Sequence, residues 1–170
     1  MKSSAKNTFI PIALFLVVIA GWILIPSQEI IVQPILYSHK KHIEQAELDC
    51  VDCHIYVETN ERATIPNIEI CANCHSDEPI TDSPEEVKLL KYISQNERIP
   101  WVQIYKVPNH VYFSHRRHVK IGGLECKICH GNVPELDKPA PYQLVKISMN
   151  NCIDCHRKND VARDCIGCHF

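Results

Sequence analysis

The sequence predicts a mostly α-helical and irregular fold with little β-sheet, preceded by one N-terminal transmembrane helix. Three observations predict it. One short cysteine motif occurs five times along the chain, and the stretch from Ser27 to Phe170 leaves only a short length of chain for each copy. Residues 9–25 form an uncharged apolar run. A length of chain this short for each motif cannot build an ordinary apolar core. The core must therefore come largely from groups bound at the motifs.

The cysteine motif is Cys-x-x-Cys-His, and its copies account for all ten cysteines. It is the attachment signature of c-type haem, in which two thiols reach the vinyl groups of one porphyrin and the histidine binds the iron. Disulfide frameworks and zinc ribbons also pair cysteines, but neither needs a histidine after every second cysteine. The sequence therefore predicts a mostly α-helical and irregular multihaem cytochrome c with five covalently bound haem c groups. The attachment cysteines are Cys50, Cys53, Cys71, Cys74, Cys126, Cys129, Cys152, Cys155, Cys165 and Cys168.

The ten histidines are twice as many as the motifs. Five follow the motifs as proximal ligands, and five more can give every iron a second imidazole. Closed bis-histidine coordination predicts low-potential electron transfer without catalysis at the haem. Met149, close to the fourth motif, is the alternative axial ligand there. The proximal histidines are His54, His75, His130, His156 and His169, and the distal histidines are His39, His42, His110, His115 and His118.

Four of the distal histidines lie in an element that occurs twice. The stretch YSHKKHIEQAELDCVDCH (37–54) returns later in the chain as FSHRRHVKIGGLECKICH (113–130). The duplication predicts two related modules. We expect a dihaem module over 27–80 and a trihaem module over 110–170, joined by a connector over 81–109.

The repeated element, aromatic-Ser-His-x-x-His followed by Cys-x-x-Cys-His, resembles the class III cytochromes c, small low-potential multihaem proteins of the periplasm. The resemblance implies that His39 and His115 ligate the haem whose motif follows each of them. It implies that His42 and His118 reach other haems and so join the cluster together. His110 would be the fifth distal ligand, and its haem is left unassigned.

A narrower resemblance covers almost the whole chain. The apolar N-terminus, the five motifs and the segment IPWVQIYKVPNHVYFSHRRH before CKICHG resemble the membrane-anchored pentahaem subunit of alternative complex III. The related hexahaem subunit of menaquinone reductase complexes is also similar. The resemblance implies a non-enzymatic subunit that carries electrons between a quinol/quinone-reactive membrane complex and periplasmic redox carriers. Its implied partners are an iron-sulfur/molybdopterin-like subunit, polytopic quinol-binding membrane subunits and a periplasmic cytochrome or similar carrier.

Other functions remain open at this point. A stand-alone membrane-anchored quinol dehydrogenase feeding periplasmic reductases also has one N-terminal helix and four or five c-haems. Such proteins usually place the first motif just after the helix, whereas Cys50 lies well beyond Ile25, where the apolar run ends. An enzyme with an open haem iron would need a motif with an altered ligand, which none of the five shows. The net charge of −2 and the lack of a basic tract exclude a nucleic-acid partner.

The apolar run FIPIALFLVVIAGWILI (9–25) predicts a transmembrane anchor over 1–26. As a helix it spans about 26 Å, close to the roughly 30 Å of a bilayer's hydrocarbon core. Two lysines precede it and no acidic residue comes before Glu29. The positive-inside rule therefore puts the N-terminus in the cytoplasm and the haem domain outside the inner membrane. Cleavage after Ala20 is the alternative, and would leave a soluble periplasmic multihaem carrier.

The connector carries no attachment motif. The stretch SPEE (83–86) predicts a helix start, with serine as N-cap, proline at the first position and acids in the first turn. The helix is expected to run through Ile93. Residues 99–108 alternate in polarity between two prolines and predict an extended segment, which would either pack over a haem or contact another subunit.

Overall fold

The computed structural model describes residues 11, 12, 14, 15, 19, 21 and 30–170. Residues 31–170 form one compact unit, and the chain up to Ile30 forms another. The six described residues between 11 and 21 are helical. Most of the predicted transmembrane run, 9–25, lies outside the described residues. Within the described part, no helix is long and apolar enough to cross a membrane.

The compact unit consists of short helices joined by irregular loops, which confirms the mostly helical and irregular part of the predicted fold class. Within 30–170 the β-structure is limited to an isolated bridge between Val111 and His169. Every attachment motif lies on or beside a helical turn, where residues three positions apart face the same side. The α-helices are α1 His39–Gln45, α2 Cys50–Cys53, α3 Ile68–Cys71, α4 Pro84–Ser94, α5 Cys126–His130, α6 Met149–Lys158 and α7 Cys165–Cys168, with a π-helix at Arg117–Ile121 and a 3-10 helix at Val133–Glu135.

The two copies of the repeated element start alike but continue differently. The first continues as α1, whereas the second widens into the π-helix, whose last turn closes at Gly122. A Cβ on Gly122 would lie 2.7 Å from the carbonyl oxygen of His118, closer than side chains approach. The equivalent residue of the first copy is Ala46, which donates its N–H to the carbonyl of His42 at 3.2 Å. The missing Cβ of Gly122 therefore permits the wider turn.

Each copy of the element is hydrogen-bonded to the opposite half of the compact unit. The amide of Lys40 donates to the carbonyl of Leu136 at 3.1 Å, and the amide of Arg116 donates to the carbonyl of Asn60 at 3.1 Å. The two donors occupy equivalent positions in the repeat, and the two acceptors are separated by the same length of sequence as the donors. The first copy thus donates to the second half of the unit in the same way as the second copy donates to the first half, as across a two-fold axis.

The apolar core of the compact unit is small. Ile35, Ile68 and Ile99 form it, with Leu89 of α4 and Trp101 packed against them. No large side chain in the described part of the chain is fully buried. A core of this size is too small to hold the compact unit together by burial of apolar side chains alone.

The connector contains the predicted helix. Helix α4 begins at Pro84, and the hydroxyl of Ser83 accepts the amide hydrogen of Glu85 at 3.3 Å as an N-cap. The helix ends at Ser94, one residue beyond the predicted limit. The N-cap, the proline and the first-turn acids therefore identified this helix correctly.

The extended segment 99–108 forms no strand, and two side-chain amides hold its backbone. Gln33 donates to the carbonyl of Val102 at 2.7 Å and accepts the amide hydrogen of Val102 at 2.9 Å. Asn67 makes the same two contacts with Ile99, at 3.0 and 2.8 Å. Each amide side chain therefore replaces one residue of a neighbouring strand. At Val102 and Ile99 the segment is thus attached to the rest of the compact unit.

Candidate functional site

The structure brings the ten histidines together as five pairs, each with one motif histidine and one distal histidine. Two imidazoles on one haem iron hold their ring centroids about 6 Å apart, because each metal–nitrogen bond is about 2 Å long and each ring adds its own radius. Four pairs have measured centroid separations close to this value. These are 6.2 Å for His42 and His75, 6.4 Å for His115 and His130, 6.2 Å for His118 and His156, and 5.4 Å for His110 and His169.

The two remaining histidines, His39 and His54, make the fifth pair, because the imidazole of His54 lies close enough to His39 to lower its pKa. The pKa of His39 is lowered to about 4, first by burial and then by the neighbouring imidazoles of His54 and His42. Burial also lowers the pKa of His54, against an opposing hydrogen bond to the backbone of Thr64. Both rings are therefore neutral at physiological pH, which is the form that binds a metal. These are the partners that the class III resemblance implies for the first histidine of each copy.

Four of the ten paired histidines have their Nδ1 atom hydrogen-bonded to a backbone carbonyl. A carbonyl can only accept, so Nδ1 carries the proton and Nε2 is left unprotonated for a metal. This arrangement fits axial ligation of a haem iron by neutral imidazole. The contacts are His42 to Ser38 at 2.8 Å, His118 to Ser114 at 2.8 Å, His115 to Glu61 at 3.0 Å and His156 to Ala162 at 2.8 Å.

His75 differs, because its Nδ1 lies 2.7 Å from the Oε1 atom of Glu86. The Glu86 side chain is only 4% exposed. It also accepts the amide hydrogens of Ile80 at 2.9 Å and Thr81 at 2.8 Å, and the hydroxyl hydrogen of Thr81. Burial raises the pKa of Glu86, but the hydrogen bonds from Thr81, Ile80 and His75 outweigh it and lower the pKa to about 2. Glu86 is therefore a carboxylate at neutral pH.

Sequence reasoning placed Glu86 only among the first-turn acids of α4. Its neighbour Glu85 has the same side chain and lies in the same turn, yet it accepts the amide hydrogen of Leu36 at 2.7 Å and contacts no motif histidine. Nothing local in the sequence distinguishes the two acids. The signal is tertiary, since it depends on how α4 lies against the second motif.

An aromatic ring supports the distal histidines in each copy of the repeated element. Tyr37 meets His39 edge-on at 4.9 Å and stacks on His42 at 4.3 Å. Phe113 meets His115 edge-on and stacks on His118, both at 4.8 Å. The interplanar angles nearly coincide between the copies, at 86° and 85° edge-on and at 28° and 27° stacked. The aromatic residue that opens the element therefore orients both imidazoles.

Tyr105 connects the extended segment to the third motif, a contact that sequence reasoning missed. Its ring meets that of His130 edge-on at 4.5 Å. Its hydroxyl accepts the amide hydrogen of Leu144 at 3.0 Å. The sequence showed an aromatic residue in an alternating segment, but it did not show which histidine this residue contacts.

The attachment cysteines of neighbouring motifs also lie close together, and no two of the ten are joined in a disulfide. Burial raises the pKa of one thiol at each junction, and a thiol of the adjoining motif raises it further. The adjoining thiols are Cys74 for Cys53, Cys126 for Cys50, Cys155 for Cys129 and Cys168 for Cys152. The motifs thus follow one another in space in the order second, first, third, fourth and fifth.

The donor set fits covalently attached haem. A haem iron needs only two axial ligands from the protein, and each imidazole pair includes the histidine that follows a pair of thiols. Among the described residues, no group of three or more histidine, cysteine or acidic side chains could hold a metal ion alone. Paired imidazoles beside paired thiols are what a haem c group requires.

Residues 35–89 and 111–170 match the family model described as cytochrome c7 and related cytochrome c. The chain belongs to this family. Each matched segment contains one copy of the repeated element. This cytochrome c7-related chain is also similar to the menaquinone reductase multihaem cytochrome c subunit of Nitratidesulfovibrio vulgaris strain Hildenborough. The two are 30% identical over 162 residues, which cover 81% of this chain and 76% of the relative. The protein is thus a multihaem cytochrome c with covalently bound haem, and it transfers electrons.

Proposed function

We propose that this protein is the membrane-anchored pentahaem electron-transfer subunit of a quinone-reactive complex of the alternative complex III type. It carries electrons between that complex and periplasmic redox carriers. The observation that carries the proposal is the presence of five imidazole pairs, each including the histidine of one attachment motif. Five motifs and five pairs support five haem c groups, each with two axial histidines.

Each haem would be held by the two cysteines of one motif and by one imidazole pair. The bound haem supplies a one-electron couple, and two imidazoles keep its potential lower than a methionine ligand would. The protein's own part is to hold the rings. The aromatic residues and the backbone carbonyls that contact the histidines fix the orientation and the tautomer of each imidazole ring without any contribution from the iron.

The spatial order of the motifs supports one continuous row of haems. Electrons would pass from the haem of the second motif through those of the first, third and fourth to that of the fifth, or in the opposite direction. The ends of the row are then the haem on Cys71 and Cys74 and the haem on Cys165 and Cys168. A row with two separate ends suits a subunit that connects a membrane complex to a soluble carrier.

Membrane anchoring is the second part of the proposal. The described residues Ile12, Leu14, Phe15 and Ile19 are helical, and their apolar side chains are between 38% and 65% exposed. Apolar side chains exposed on a helix suit a lipid environment. The helix would cross the inner membrane once, with the N-terminus in the cytoplasm and the haem domain in the periplasm or outside the cell.

The partners proposed for the complex are an iron-sulfur/molybdopterin-like subunit and polytopic quinol-binding subunits. A periplasmic cytochrome or similar carrier would exchange electrons with the other end of the row. Similarity to a subunit of a menaquinone reductase supports a quinone-reactive assembly.

The test is purification from native membranes in mild detergent, with identification of co-purifying proteins by mass spectrometry. We expect the iron-sulfur/molybdopterin-like and polytopic subunits to accompany the cytochrome, and a pyridine haemochrome assay to give five haems per chain. Isolation of the cytochrome alone, with reduction by a menaquinol analogue, would instead identify a stand-alone quinol dehydrogenase. A mature N-terminus at Gly21 would identify a soluble periplasmic carrier.

A further inference from the structure

The second motif is distinguished by the hydrogen-bond acceptor behind its histidine. Four of the paired histidines donate Nδ1–H to a backbone carbonyl, and His54 bonds to the backbone of Thr64. His75 instead contacts the carboxylate of Glu86. Among the Nδ1 contacts that the structure describes, this is the one with a charged acceptor. The haem of the second motif therefore has a ligand environment unlike its neighbours.

Glu86 is held firmly in the orientation that this contact needs. The backbone amides of Ile80 and Thr81 and the hydroxyl of Thr81 fix its two oxygens. It lies in the first turn of α4, which packs through Leu89 against the small apolar core. In the described part of the chain its ion-pair contact is with His75 and not with a lysine or arginine. The negative charge is thus directed at the imidazole.

A carboxylate behind a metal-bound imidazole strengthens that imidazole as a donor. It draws the Nδ1 proton towards itself, and the ring gains electron density at Nε2. A stronger donor stabilises ferric iron over ferrous iron, which lowers the reduction potential. A carbonyl acceptor does the same to a smaller extent, because it carries no net charge.

The fourth motif provides an internal comparison. His42 and His118, the second histidines of the two element copies, face His75 and His156, and both donate Nδ1–H to the carbonyl of the serine one helical turn earlier, at 2.8 Å. The distal sides of these two pairs therefore match. On the proximal side, His156 contacts the carbonyl of Ala162 where His75 contacts a carboxylate.

We propose that Glu86 is a positioning residue that lowers the reduction potential of the haem attached through Cys71 and Cys74, by accepting the Nδ1–H hydrogen bond of His75. The reduction potential of the haem of the second motif therefore lies below that of the haem of the fourth motif. The inference rests on the proposed ligation by His75, and it makes one end of the haem row the more strongly reducing end.

The test is the variant Glu86→Gln in the full-length protein, purified in its complex and titrated by optical and EPR spectroscopy. Glutamine removes the charge and keeps one of the two oxygens, which accepts either from His75 and Ile80 or from Thr81. We expect the potential of one haem to rise by about 59 mV, which is a tenfold change in its ratio of oxidised to reduced forms. The EPR signal of one low-spin ferric haem shifts with it, and the other four haems stay unchanged.

Two further variants separate this role from a structural one. Glu85→Gln changes the neighbouring acid in the same turn, which contacts Leu36 and Lys88 and no histidine of a pair, so no potential should move. Thr81→Val removes the hydroxyl donor to Glu86 and leaves the carboxylate a stronger acceptor for His75. It should lower the same potential, opposite in sign to Glu86→Gln. General loosening of the fold does not produce shifts of opposite sign at one haem.

The outcomes distinguish this inference from the proposed function. A Glu86→Gln protein that carries five haems with all potentials unchanged overturns the inference and leaves the pentahaem subunit intact. If that variant does not fold, Thr81→Val decides, and an unchanged or raised potential then overturns the inference. A haem content other than five in the unsubstituted protein overturns the proposed function instead.

Discussion

The two copies of the repeated element show which features of a haem site are local and which are not. Tyr37 and Phe113 hold the paired histidines at nearly the same angles, and the carbonyls of Ser38 and Ser114 accept the same Nδ1–H bond. These contacts lie within the first few positions of each copy, so repeating the residues repeats the geometry. The repeated element thus determines how two distal imidazoles are presented, whatever lies opposite them.

The copies differ wherever a contact comes from elsewhere in the chain. The Nδ1 atom of His115 contacts the carbonyl of Glu61, whereas the buried Nδ1 atom of His39 has no hydrogen-bond partner among the described residues. The imidazole facing His42 has Glu86 behind it, and the imidazole facing His118 has the carbonyl of Ala162. Two copies of one device are thus placed in different electrostatic surroundings, which can give their haems different potentials.

Replacement of the second histidine in each copy should have the largest effect. His42→Met and His118→Met each exchange a distal imidazole for a thioether, which favours ferrous iron. We expect one haem in each variant to rise in potential by on the order of 100 mV or more, measured by redox titration.

The absolute potentials of the two altered haems also test whether Glu86 makes the surroundings of the two copies different. Because the carboxylate of Glu86 remains behind His75, the haem altered by His42→Met should stay below the haem altered by His118→Met. If either substitution leaves every haem spectrum unchanged, that histidine is not a ligand.

Gly122→Ala should have an intermediate effect, because it removes the space that the π-helical turn uses. The added Cβ would meet the carbonyl of His118 at 2.7 Å, so the turn must shift. We expect the free energy of unfolding to fall by about 1–3 kcal/mol, measured by guanidinium denaturation. The same shift disturbs the imidazole of His118, so the spectrum of one haem should change.

Ala46→Gly is the matched control for that substitution. It lies at the equivalent position of the first copy, where it is the C-cap residue of an α-helix. It should cost less than about 1 kcal/mol and leave all haem spectra unchanged. Equal effects of the two substitutions would contradict the explanation given for the π-helix.

Ser38→Ala and Ser114→Ala should have the smallest effects. Each removes a hydroxyl that accepts an amide hydrogen, from Lys41 at 3.1 Å and from Arg117 at 3.3 Å. The loss of a helix N-cap costs about 1 kcal/mol, and the longer contact of Ser114 should cost less. The backbone carbonyls that hold the imidazoles remain, so the denaturation midpoint should move while the haem potentials do not. A potential that moves would show that the hydroxyl, and not the carbonyl, orients the ring.

The sequence by itself determined the chemical inventory of this protein. The Cys-x-x-Cys-His spacing specifies haem attachment within a single short motif, and the SPEE stretch specifies the start of α4 in the same local way. The number of histidines and the short length of chain for each motif are both obtained by counting residues. Together they made a mostly helical and irregular fold predictable. The extended backbone at 99–108 was expected from the local alternation of polarity. The attachment of this segment to Gln33 and Asn67 does not follow from that alternation.

Only the tertiary structure decided which groups meet. The pairing of His110 with His169, the order of the five motifs and the contact of Glu86 with His75 all depend on how the short helices pack. Glu85 and Glu86 show the physical reason. Two identical side chains in one helical turn point in directions about 100° apart, so one reaches a backbone amide and the other reaches an imidazole. Local spacing records which atoms are present, and packing decides which of them come within bonding distance.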